Sequence, residues 1–351
     1  MKNEVKKDST QRVEYIDAMR GFTMILVVLH HISLMAFGRN SAIDEWYVTF
    51  VMPLFFFVSG FVLYKSTYNW NFKNSITFLK KKVWPLILSP FIFFLIYIHV
   101  YDRVFLESLI DPTKAGYWFT FMLFNYYLMY IFIQMLLDKL YIHPLKKDSI
   151  LILFGFLIYF AGYGISYLYL EEKISIAGFI GGAQCKHFLF FVLGILTKKY
   201  FKNFVHILDS ALLLPICISL FFLLNIFIKP LEGALTRFSF VLLTATTGVI
   251  IVFSFFRKYQ SLVTKDNVLG KILQTIGRRT LDIYLLHYFF IPYRLSEVCP
   301  LFQKCNLPII ELACSLTVAS FVIAFCLLIS AILRISPNLG HLLFGAKKEI
   351  R

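Results

Sequence analysis

The chain is poor in charge. Lysine, arginine, aspartate and glutamate make up 16% of its 351 residues, against about 25% in an ordinary soluble domain, so it lacks the polar surface needed to stay in water. It has no P-loop and no GxSxG elbow. The six cysteines (Cys185, Cys217, Cys299, Cys305, Cys314 and Cys326) form no CxxC pair, and the eight histidines show no HExxH spacing. No metal site is therefore expected. Residues 1–15, MKNEVKKDSTQRVEY, lack the apolar stretch and small-residue cleavage site of a secretory signal, so the N-terminus is expected to be retained. A chain that is 59% hydrophobic and 18% aromatic also excludes disorder, collagen and small disulfide scaffolds.

Apolar runs near twenty residues are abundant instead, each long enough to cross a hydrocarbon core of about 30 Å. They fall at 16–37, 46–65, 83–101, 117–137, 149–170, 176–197, 207–228, 238–256, 280–295 and 307–333. Without period-two alternation these read as helices, since lipid offers the backbone no hydrogen-bond partners. The expectation is an all-α, polytopic membrane protein with about ten transmembrane helices. Three parts follow: an N-terminal tail (1–15), one integral-membrane domain (16–335) and a C-terminal tail (336–351). The longest connection, 257–279, has room for one interfacial helix.

The net charge of +15 is scattered in short clusters between apolar runs, so it signals topology and not nucleic acid. With the N-terminus inside, 25 lysines and arginines fall on inner segments and 8 on outer loops. That bias places both termini in the cytoplasm; the expected location is the cytoplasmic (inner) membrane, in contact with its lipid. Cys299 and Cys305 fall in the last outer loop, where they form either a disulfide or two free thiols.

Ionisable residues within spans cost about 2.5–3.5 kcal/mol each and usually face a bundle interior or wet cavity. In the first span Asp17 and Arg20 are three apart and can pair on one face. His31 lies eleven residues beyond Arg20, within about 20° of the same face and about 16 Å deeper. One stripe thus carries a guanidinium at the inner mouth and an imidazole far inside. A snorkelling anchor and a structurally bonded histidine would give the same residues. Ser59-Gly60 in the second span suits close helix packing. Lys80, Lys81 and Lys82 precede Pro85 and suit either phosphate binding or membrane anchoring. Lys186 and His187 sit mid-span and call for a buried partner or polar cavity. His287 follows Asp282 in the ninth span, about 10 Å from its inner boundary.

Taken in order, these stretches resemble the integral-membrane acyltransferases of family 3. Tyr15-Ile16-Asp17-Ala18-Met19-Arg20-Gly21 with His31 resembles the family's opening. Phe55-Phe56-Phe57-Val58-Ser59-Gly60-Phe61 is similar to its FF-x-x-SGF segment, and Thr280-Leu281-Asp282-Ile283-Tyr284-Leu285-Leu286-His287 to its T-x-x-IYLLH stretch. Gly116-Tyr117-Trp118-Phe119 is a weaker match to a WF segment. The lysine cluster takes the place of the family's arginine-rich segment, without arginine's bidentate fork.

The resemblance implies a stand-alone O-acyltransferase of the cell envelope that moves an acyl group, acetyl above all, from cytoplasmic acyl-CoA to a hydroxyl of a sugar or surface polysaccharide. Acyl-CoA would be the donor substrate, with no permanently bound cofactor. His31 and Arg20 would be catalytic. Arg20, Lys80 and Lys82 would hold the donor. His287, Asp17, Ser59, Lys186 and His187 are secondary candidates. The competing expectation is a multi-pass carrier or exporter of glycans or lipid-linked intermediates, with the same polar residues lining its path.

Overall fold

A backbone in hydrocarbon must satisfy its own N–H and C=O groups, and helices do so within one segment. The computed structural model describes residues 13–38, 44–66, 68–140, 142–170, 181–228, 233–292, 295 and 307–346, and among them the chain is helical nearly throughout, with no strand. The helices are α1 (Glu14–Met35), α2 (Asp44–Leu63), α3 (Phe72–Val83), α4 (Ser89–Val100), α5 (Phe105–Ile110), α6 (Trp118–Lys139), α7 (Pro144–Leu170) and α8 (Phe188–Lys199). They continue as α9 (Phe201–Leu208), α10 (Leu213–Ile228), α11 (Ala234–Lys258), α12 (Val268–Arg278), α13 (Thr280–Phe290), α14 (Pro308–Leu333) and α15 (Pro337–Phe344).

Seven stretches among the described residues are long and apolar enough to cross a membrane: α1, α2, Phe72–Val100, α6, Pro144–Leu168, α11 and α14. Their outward surfaces carry large apolar side chains such as Phe132, Leu157, Phe321 and Leu328, as a lipid-facing surface should.

Four of the expected spans take a different form. The third extends back through the lysine cluster, because α3 and α4 join through a π-helical turn at Trp84–Leu88. Pro85 lacks an N–H and its ring crowds the turn before it, which widens the helix there. The seventh is a bent pair in which α9 meets α10 at 81°. The described part of the sixth is a tight 3₁₀ turn, Gly182–His187, followed by the twelve residues of α8. The ninth, α13, has eleven residues and at about 1.5 Å per residue is too short to cross alone. The connection 257–279 does hold a helix, α12, whose N-terminus is capped by Asn267 Oδ1 accepting from Gly270 N at 2.7 Å.

Two glycine-lined crossings set the positions of the helices around the site. A Cβ on Gly21 of α1 would lie 2.0 Å from Leu273 O, and one on Gly277 of α12 would lie 1.8 Å from Asp17 O. Likewise a Cβ on Gly60 of α2 would meet Phe191 O at 2.0 Å, and one on Gly194 of α8 would meet Phe57 O at 1.9 Å. In each pair the absent side chains allow backbone to touch backbone, the packing mode favoured where lipid supplies no hydrophobic drive. The C-terminal α15 closes over the π turn, with Trp84 Nε1 donating to His341 O at 2.7 Å and Ser89 Oγ donating to Leu343 O.

Candidate active site

On α1, Arg20, Met24, Val27 and His31 follow each other at four, three and four residues and form one face of the helix. That face lines a cavity of about 440 Å³ enclosed by α2, α3, the start of α6 and α13. Its basic end holds Arg20, Lys65 and Lys82. Arg20 Nη2 donates to Thr280 Oγ1 at 2.9 Å, and Nη1 lies 3.9 Å from the buried Asp17 carboxylate. Thr280 Oγ1 in turn donates to Gly277 O at 3.3 Å. The Gly21–Gly277 crossing lies beside both residues and thereby sets the reach of Arg20. The Lys82 ammonium sits 5.5 Å from the Phe78 ring and 5.7 Å from that of Tyr127, within cation–π range.

At the far end His31 Nε2 lies 3.1 Å from Tyr288 Oη. His287 packs behind them, its ring 5.2 Å from that of His31 and 4.0 Å from that of Tyr288. Its Nδ1 is 2.9 Å from Ile283 O, while Nε2 is buried with no hydrogen-bond partner among the described residues. The carbonyl can only accept, so Nδ1 carries the proton and Nε2 keeps a bare lone pair. The wall opposite is a sharp turn in which Lys114, Ala115 and Gly116 take φ of 46°, 50° and 96°. This left-handed run is costly for the two residues that carry a Cβ. It is held by Tyr284 Oη donating to Gly116 O at 3.0 Å and Tyr117 Oη donating to Leu285 O at 3.0 Å. A Cβ on Gly116 would strike the Tyr288 ring at 2.3 Å, so glycine there lets the phenol stand beside His31.

Beyond His31 lies a second cavity of about 400 Å³, lined by His30, Tyr47, Tyr97 and Arg103 among others. Val27, His31, Met52, Gly116, Trp118 and Tyr288 line both spaces. The imidazole thus stands where a cavity from the basic end meets one from the opposite end. An imidazole and a phenol in hydrogen-bond contact within an aromatic enclosure can pass a proton to or from a group held between the two cavities.

The sequence-predicted residues divide accordingly. Arg20, His31, Ser59 and Lys82 line the cavity with the basic end, with Ser59 Oγ donating to Phe55 O at 2.8 Å. Asp17 pairs with Arg20, and His287 stands one layer behind the wall. Lys80 is exposed, away from the cavity lining. Lys186 and His187 belong to the 3₁₀ turn outside it: the Lys186 ammonium lies 4.8 Å from the Tyr163 ring, and His187 stacks on Phe56 and Trp118 at 5.6 and 6.0 Å. Asp282 takes a structural part, accepting from Arg334 Nε at 2.9 Å, from Arg334 Nη2 at 2.8 Å and from Ser330, with Arg279 Nη1 at 3.3 Å. Cys299 and Cys305 lie outside the described residues.

Sequence reasoning missed Lys65, Gly116, Thr280, Tyr284 and Tyr288 as site residues. The last three had a readable signal, a polar stripe at i, i+4 and i+8 on α13.

Helices of this length and apolarity, packed around an internal cavity, define a multi-pass membrane protein. The family model for the acyltransferase domain of family 3 matches residues 13–333, nearly the whole chain. The chain belongs to that family and is a membrane acyltransferase. Searches of curated proteins and of solved structures returned no match.

Proposed function

We propose that the protein is an O-acyltransferase of the cytoplasmic membrane. It transfers an acyl group, with acetyl the first candidate, from cytoplasmic acyl-CoA to a hydroxyl of a sugar or surface polysaccharide. The supporting observation is that His31 lines both the cavity reached from the basic end and the cavity beyond it. By its excess of lysine and arginine the basic end faces the cytoplasm, as do both termini. The donor enters there. Its phosphates meet Arg20, Lys65 and Lys82, and its thin pantetheine arm runs along the α1 face to bring the thioester to His31.

Eleven residues of helix separate Arg20 from His31, about 16 Å, so Arg20 orients the donor and does not touch the reacting carbonyl. The acceptor arrives through the outer cavity. His31 takes the proton from its hydroxyl as the oxygen attacks the thioester carbon. The C–S bond then breaks, and the departing thiolate receives that proton to leave as CoA thiol. Tyr288, whose Oη lies 3.1 Å from His31 Nε2, donates to the developing oxyanion.

The test is CoA release from acetyl-CoA by purified protein in nanodiscs with a glycan acceptor. His31→Ala should abolish turnover while acetyl-CoA still binds, and Arg20→Ala should raise KM for acetyl-CoA. Unchanged kinetics in folded His31→Ala protein, or glycan movement without CoA release, would overturn the proposal.

A further inference from the structure

Beside the basic mouth lies another hollow, of about 530 Å³, lined by residues that include Leu63, Lys65, Trp70, Tyr130, Asp148 and Lys199. It adjoins the long cavity directly, since Leu63 and Lys65 line both. The Trp70 ring meets that of Phe78 edge-on at 5.3 Å and that of Tyr130 at 5.8 Å. Phe78 itself walls the long cavity beneath the Lys82 ammonium.

Charge within the hollow is nearly balanced. Lys199 Nζ donates to both oxygens of Asp148 at 2.8 and 2.6 Å, and Asp138 pairs with Lys147 at 2.9 Å. Lys65 has no carboxylate within 4.0 Å among the described residues and stands at the boundary with the mouth. With both carboxylates held by lysines, Lys65 is, among the described residues, the one cation of the wall left to meet a phosphate, too little for a whole polyphosphate, and charged walls reject an acyl tail. Flat aromatic rings with carboxylates nearby suit a neutral, planar, hydrogen-bonding group.

We propose that this hollow seats the nucleoside end of the acyl-CoA donor, its purine against Trp70 and its ribose phosphate facing Lys65. The proposal rests on the acyl-CoA reading above and extends it. The diphosphate then lies at the mouth among Arg20, Lys65 and Lys82, where the long cavity begins.

The experiment compares binding of acetyl-CoA, 3′-dephospho-acetyl-CoA and S-acetyl-4′-phosphopantetheine to the full chain in nanodiscs. Base–aromatic stacking contributes about 1–3 kcal/mol per base, so Trp70→Ala should weaken acetyl-CoA by roughly 5- to 150-fold. Binding of the phosphopantetheine thioester should be unchanged, which also shows that the variant is folded. Trp70→Phe should recover most of the loss. Lys65→Gln should weaken acetyl-CoA more than its 3′-dephospho form, and adenosine 3′,5′-bisphosphate should compete with acetyl-CoA. Should Trp70→Ala lose both thioesters, Trp70→Phe and Lys65→Gln decide by the same comparisons. Wild-type protein that binds both thioesters with equal affinity, or variants that bind acetyl-CoA as wild type does, would remove the hollow and leave the acyl-CoA reading standing. Wild-type protein that binds neither thioester would remove both.

Discussion

The Gly277→Ala substitution adds one methyl group where α1 crosses α12. Its Cβ would fall 1.8 Å from Asp17 O, and separations under 3.0 Å are essentially never adopted. The two helices must therefore part by at least about 1.2 Å. Both sides of the contact are helical backbone, so no flexible side chain can yield, and overpacking of this kind costs about 1–3 kcal/mol. The functional consequence is larger than that cost suggests. Arg20 reaches Thr280 across this crossing at 2.9 Å, and a further ångström takes the pair beyond hydrogen-bond range. A misplacement of about 1 Å can lower an enzymatic rate on the order of 100-fold.

The assay is kcat/KM for acetyl-CoA from CoA release, with the melting temperature measured in parallel. Gly194→Ala is the control. Its Cβ would approach Phe57 O to 1.9 Å, a comparable overlap at the α2–α8 crossing away from the Arg20–Thr280 pair. Both variants should melt earlier, and Gly277→Ala should also lose 10- to 100-fold or so in kcat/KM. Wild-type kcat/KM in Gly277→Ala, or an equal loss in Gly194→Ala, would refute the argument that this crossing positions Arg20.

Three other perturbations act on separate parts of the molecule. Tyr288→Phe keeps the ring packing and removes the hydroxyl 3.1 Å from His31; kcat should fall about 10- to 100-fold with KM for acetyl-CoA held, as steady-state kinetics will show. Asp282→Asn leaves Arg279 and Arg334 facing a neutral group that is 3% exposed. Breaking a buried pair costs about 3–5 kcal/mol, and less here because both arginines are partly solvated. Thermal melting should shift down while activity per folded molecule is kept. Lys114, buried in the turn before α6, has its pKa lowered to about 8 by that burial. The unfolded chain therefore binds more protons than the folded one between about pH 8 and the ordinary lysine range, so stability rises with pH across that window. In Lys114→Met the rise should disappear from melting curves recorded from pH 7 to 11 or so.

The inner stripe was legible because it depends only on rigid helix geometry. Eleven residues make just over three turns, so Arg20 and His31 had to share a face once α1 was a helix, and both line the cavity. The same arithmetic separates Lys80 from Lys82. Two residues apart, they point about 160° away from each other, and only Lys82 faces inward. Sequence alone could not say which, because that depends on where α6 and α13 stand. The partners of the stripe were hidden for the same reason: Thr280 is 260 positions from Arg20, and Tyr288 is 257 from His31. Ser59-Gly60 was half legible. Gly60 makes the close crossing that small residues favour, while its neighbour Ser59 turns to the cavity. Lys186 and His187 stood out as mid-span polar residues, yet a 3₁₀ turn carries them to aromatic partners outside the cavity.

The two ties from α1 both end on α13, Arg20 on Thr280 near its start and His31 on Tyr288 near its end. The two helices therefore run in the same direction, joined at both ends of the cavity they enclose. Each tie has its own support: the glycine crossing of α1 and α12 at the basic end, and the left-handed turn at Gly116 at the other. Asp282, anchored to Arg334 and Ser330 of the α14 end, holds α13 from the side away from the cavity. A change at one tie can thus move one end without dragging the other. That independence is what makes the division of labour measurable. Loss of the Arg20–Thr280 tie should register in the grip on the donor, and loss of the His31–Tyr288 tie in the rate of the chemical step. If either change moved KM and kcat together in folded protein, the cavity would be a single deformable space and not two separately braced ends.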